Sequence, residues 1–136
     1  MRFDMAHNRK LVIGCVALTM ARVRPAKAVA SAANRVRDEL EQEIIQSGYL
    51  ANAPFSWIGL IIRQGLVNEE KPHFGRINPK DGDLPVAIEI DVHQLLRVPE
   101  DDMVRVFRKA TLAALIYAGE KYNLPIGRFR ELLDMA

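Results

Sequence analysis

The apolar residues of this chain fall into blocks with two different periods. Lys10–Val23 (KLVIGCVALTMARV) is apolar on both alternating faces, with Leu11, Ile13, Cys15 and Ala17 on one and Val12, Val16, Leu18 and Met20 on the other. That pattern predicts a strand covered on both sides, with Gly14 marking a close approach or a bulge. Pro25 stands where a helix can begin. Ala26–Ser47 then has no internal proline or glycine, and Val29, Ala33, Val36, Leu40 and Ile44 form one apolar stripe at helical spacing. Gly48 is placed to cap that helix. After a turn over Tyr49–Pro54, Phe55–Leu66 (FSWIGLIIRQGL) is again strand-like and apolar on both faces.

Val67–His73 is polar and reads as a connection, and Phe74–Asn78 as a short strand. Asn78-Pro79-Lys80-Asp81-Gly82-Asp83 is dense turn chemistry. Leu84–Val92 alternates most cleanly: Leu84, Val86, Ile88, Ile90 and Val92 face one way, and Pro85, Ala87, Glu89 and Asp91 the other. This predicts a strand with one core face and one wet face, and Pro85 marks its start or an edge. Pro99-Glu100-Asp101-Asp102 is an acidic helix start, favourable with the helix dipole. That helix runs to about Lys121, and its stretch Ala110–Ala118 is apolar nearly all round, so it is either central or packed on a partner. A short helix over Gly127–Met135 follows Pro125. The order β-α-β-(β)-β-α-α predicts an α+β fold, an antiparallel or mixed sheet of three to four strands with helices packed on it. With 136 residues it forms a single domain, 1–136.

Composition adds few constraints. At 49% hydrophobic and 26% charged, the chain is globular and not disordered. Its one cysteine excludes an intrachain disulfide. Met1–Lys10 is too polar for a signal peptide and Leu11–Ala21 too short for a membrane span, so a cytoplasmic protein without a membrane partner is expected. The net charge of +2 hides segregation. Residues 1–37 carry eight basic and one acidic side chain, residues 38–102 five and thirteen, and residues 103–136 six and three. Such blocks fold against one another and neutralise, or they mark an interaction surface.

Catalytic and cofactor patterns are sparse. There is no G-x-G-x-x-G and no P-loop. The three histidines, His7, His73 and His93, lack the neighbours that a zinc site requires, so no metal and no cofactor are expected. Cys15, inside LVIGCVAL, reads as an inert core residue. Glu89 and Asp91 have the spacing of an acid–base pair, but on a wet strand face solvation accounts for them. Trp57 and Phe55 read as core. The cluster Arg22, Arg24, Lys27, Arg35 and Arg37 has no interleaved aromatics and runs straight into acidic residues, which argues against nucleic acid as the partner.

Four stretches carry a further signal in this order: Val12–Pro25, Gly48–Phe74, Ile77–Leu96 and Ala110–Pro125. Together they resemble immunity protein family 39 of bacterial polymorphic toxin systems, most specifically over Gly48–Gly65 and Gly82–Asp91. Cys15 stands where a small residue such as glycine is expected, and Gln64 where an aromatic is. The resemblance implies a non-enzymatic antidote that binds a cognate toxin domain and blocks it by stoichiometric occlusion. It brings no catalytic residues with it. The expected toxin-binding surface is acidic: Glu89 and Asp91 on the wet strand face, with Asn68, Glu69, Glu70 and His73 from the preceding connection. The alternative is a homodimeric interaction or regulatory domain packed through Ala110–Ala118.

Overall fold

The computed structural model describes residues 12–17, 26–63, 76–80, 83–91 and 99–135. Its elements, in chain order, are β1 (Val12–Ala17), α1 (Ala26–Gln46), β2 (Trp57–Arg63), β3 (Arg76–Pro79), β4 (Val86–Asp91), α2 (Glu100–Tyr122) and α3 (Gly127–Met135). The four strands form one mixed sheet in the order β1-β2-β4-β3. β1 and β4 both run parallel to β2, and β3 pairs antiparallel with β4. The fold is therefore α+β with a mixed sheet, as the hydrophobic pattern predicts.

The parallel β1–β2 pair needs a crossover, and α1 supplies it. Gly14 pairs with Gly59 in unbroken register, so no bulge interrupts this ladder. β3 and β4 form a hairpin through the predicted turn. Lys80 donates its backbone N–H to the Pro85 carbonyl (2.9 Å), and Lys121 of α2 reaches back to the Lys80 carbonyl (2.7 Å). Pro85 immediately precedes β4 and thus marks a strand start, although β4 itself is an inner strand.

α1 packs on β1, α2 on β2 and β4, and the two helices on one another. Both helices therefore cover the sheet face that carries Ile58, Leu60, Val86, Ile88 and Ile90, all fully buried. The predicted stripe of α1 is the core stripe: Val29, Ala33, Val36, Leu40 and Ile44 are all buried. Cys15 is the register partner of Leu60, and its side chain, expected in the core, lies outside the described residues.

The stretch Ala110–Ala118 lies at the centre of the molecule. Ala110, Leu112, Ala114, Leu115 and Ala118 are fully enclosed within the single chain, and Ile116 and Tyr117 are partly buried against the same core.

An aromatic cluster fixes the helix ends. Tyr49 meets Phe55 and Phe129 edge-on, with centroids at 6.0 and 5.4 Å, and Phe55 leans on Tyr122. Tyr49 is wholly buried and donates its hydroxyl to the Leu115 carbonyl at 2.8 Å. Burial raises the pKa of that phenol well above its ordinary value, because the charged form would lose its water. Gly48 ends α1 at φ +78°, the left-handed conformation that glycine adopts without cost. At the end of α2, Asn123 takes the same role at φ 58°.

One expectation about the sheet is corrected. The face of β4 bearing Ala87 and Glu89 is not wet: Ala87 is fully buried and Glu89 is 2% exposed. β4 lies between β2 and β3, and the Asn78 side-chain amide donates to Glu89 Oε1. A hydrogen bond of this kind offsets the desolvation of a buried carboxylate. The alternation of polarity was therefore real, but it marks a bonded interior acid and not a solvated surface.

Candidate functional site

Two features carry polar chemistry. The first is the sheet face opposite the helices. Register places Asn78 and Ala87 side by side, Glu89 beside Arg76 and Ile61, and Asp91 beside Arg63. A Cβ added at Gly59 would meet the side chains of Trp57, Leu84 and Ala87 at 3.4, 3.5 and 3.6 Å, so these neighbours take up the space beside it. Phe55 is buried as predicted, whereas Trp57 is only half-buried.

The second feature is a cleft of about 270 Å³ between α1 and α2, lined by Arg35, Asp38, Glu39, Val104 and Arg108. Arg108 crosses from α2 to α1 and grips Glu39 with two bonds, Nε to Oε2 at 2.8 Å and Nη2 to Oε1 at 2.9 Å. Arg37 turns onto its neighbour Asp38 (3.3 Å). Arg35 lies one helical turn before Glu39, on the same face of α1. It has no ion pair or hydrogen bond among the described residues. Both oxygens of Glu39 already serve Arg108, and Asp38 Oδ1 already serves Arg37.

A similar grip ties α1 to α3. Arg128 holds Glu43 through Nε (3.1 Å) and Nη2 (3.0 Å), and also meets Glu131. The hydrogen bond from Arg128 is the main reason that the Glu43 pKa falls below its ordinary value and that of Arg128 rises. Arg130 pairs with Glu120 at 2.7 Å. The acidic half of α1 thus meets the basic C-terminal block, and the charge segregation of the chain is partly a tertiary match. This also explains why α1 carries no acid in its first turn and no base in its last. Its charges are set by neighbouring helices and not by its own dipole.

Of the residues expected to form an acidic surface, Asn68, Glu69, Glu70 and His73 lie outside the described residues, as does the Asp91 side chain; the Asp91 backbone closes β4. Glu89 is described, and it is enclosed and bonded to Asn78. The α1–α2 cleft was not singled out from sequence. Its signal was present in the adjoining Arg35, Arg37, Asp38 and Glu39, but Arg108 lies 69 positions after Glu39, and nothing local links the two. Among the described residues, no group of three or more His, Cys, Asp or Glu could hold a metal ion. No helix among them is long and apolar enough to cross a membrane.

These features define a small α+β domain with one continuous core and charged helix surfaces. The profile of the family described as immunity protein 39 matches residues 5–135, and the chain belongs to that family. No curated protein and no solved structure matches it.

Proposed function

We propose that this protein is an immunity protein that protects its cell by binding a cognate toxin domain of a polymorphic toxin system and occluding that toxin's working surface, one molecule to one. The observation that carries this reading is membership of the immunity protein 39 family over nearly the whole chain. The fold is compatible with it, since an inhibitor by occlusion requires a rigid scaffold presenting charged side chains. The helix pairs Arg108–Glu39 and Arg128–Glu43 and the aromatic cluster supply that rigidity. The protein acts in the cytoplasm and without chemistry of its own.

Glu89 is enclosed and is not a contact residue in this reading. The acidic contact is assigned to Asn68, Glu69, Glu70, His73 and Asp91. The test is co-expression with the C-terminal toxin domain encoded in the neighbouring reading frame. Growth restored together with a 1:1 complex on gel filtration supports the reading. Continued killing at equal expression contradicts it.

A further inference from the structure

We propose that the cleft between α1 and α2 is a contact surface for the toxin, and that it takes an acidic side chain of that protein between Arg35 and Arg108. This rests on the reading of the chain as an immunity protein, and it adds a basic contact distinct from the acidic segment named above.

The cleft lining holds two arginines, Arg35 and Arg108, and two carboxylates, Asp38 and Glu39, but the pairing is uneven, because Arg37 engages Asp38 from outside the lining. Arg108 takes both oxygens of Glu39, and Arg37 takes Asp38. Arg35 is left as an exposed guanidinium beside acceptors that are already engaged. Arg108 lines the cleft, its side chain is 30% exposed, and its bonds to Glu39 use Nε and Nη2 and leave Nη1. A guanidinium held in this way by a bidentate pair is pre-organised, and little side-chain entropy remains to be lost when a second carboxylate arrives. Val104, nearly buried at the base, gives the cleft an apolar floor. Arginine is enriched among the residues that dominate binding energy, where a partner closes over it and excludes water. The complementary group is an aspartate or glutamate on a protein loop narrow enough to enter about 270 Å³.

The test uses the full chain and the purified C-terminal toxin domain from the neighbouring reading frame, with affinity read by calorimetry at two salt concentrations. Arg35→Glu is expected to weaken binding by about tenfold or more and to flatten its salt dependence. Arg35→Lys keeps the charge without the fork and falls between the two. Arg130→Glu, the same charge change on α3, stays within about twofold, as expected for a charge away from the contact. Arg35→Glu sets a third carboxylate beside Asp38 and Glu39 and lowers the melting temperature slightly, whereas Arg35→Ala keeps the wild-type value and is expected to weaken binding as well, which separates lost binding from lost stability. Replacing the matching toxin acid with lysine is expected to restore binding to Arg35→Glu.

Equal affinity of Arg35→Glu and wild type would overturn the cleft assignment and leave the immunity reading standing. If the wild-type protein itself did not bind the domain, both would fall. If the protein alone dimerised and Arg35→Glu dissolved the dimer, the cleft would belong to a second copy, and the assignment to the toxin would again be overturned.

Discussion

Thr111 shows how a single hydroxyl can be costly. It is fully buried in α2, and its Oγ1 has no hydrogen-bond partner among the described residues. A buried hydroxyl left unbonded forfeits its hydration, so Thr111→Val, which keeps the shape, is expected to raise stability by about 1 kcal/mol in urea denaturation. An unchanged or lower midpoint would show that the hydroxyl is satisfied. Gly119 presents the opposite case. A Cβ there would run into Ile126 Cγ2 where α2 turns towards α3. Gly119→Ala is therefore expected to cost about 1–3 kcal/mol from overpacking, despite alanine's better helix propensity. Shortening Ile126 to alanine in the same chain should recover part of that loss, because the two changes share one contact. Tyr49 adds a dependence on pH. Its folded-state pKa lies above the ordinary value of 10.0, so the neutral phenol contributes stability below that value, and the contribution is lost as pH rises past it. Tyr49→Phe is expected to be less stable at neutral pH, through loss of the bond to Leu115, and to decline less steeply in alkali.

The helices are positioned by charge as well as by apolar burial. Because Arg128 lowers the Glu43 pKa, this pair favours the folded state above the ordinary carboxylate range and ceases to do so as pH falls through the lowered value. Glu43→Gln is expected to reduce the melting temperature at neutral pH and to match the wild type in acid. A loss that persisted unchanged in acid would show that the pair contributes nothing. Most elements were legible from periodicity. The stripe of α1, the span Gly127–Met135 and the turn before β4 follow from local rules about spacing, caps and turn residues, which act over a few positions. The environment of the far face of β4 was not legible. Ala87 and Glu89 alternate with valine and isoleucine as a wet face would, and only the placement of β3 and Asn78 shows that the carboxylate is bonded and enclosed. The α1–α2 cleft was hidden for the same reason, since Arg108 and Glu39 meet only through tertiary packing. Replacing Glu89 with alanine should therefore read out as lost stability, about 1 kcal/mol or more, from a half-buried amide that loses its acceptor and from the space left by an enclosed side chain.

At the scale of the whole molecule, the segregated charge has two destinations. Part of it is consumed within the fold, where Glu39 and Glu43 meet Arg108 and Arg128. The remainder is surface charge, including the unengaged Arg35 above the cleft. An immunity protein needs this combination, with internal pairs that hold the helices rigid and leftover charge that steers and fits one partner. The apolar run Ala110–Ala118 left two readings in the sequence, central or packed on a partner, and in the fold most of it is buried within one chain, with Ile116 and Tyr117 partly buried. The most direct measurement is the titration of the purified toxin domain from the adjacent reading frame with this protein, following binding and toxin activity in the same samples. Saturation at one equivalent, with toxin activity falling to zero at that same point, is the expected result. Full toxin activity in the presence of excess protein would contradict it.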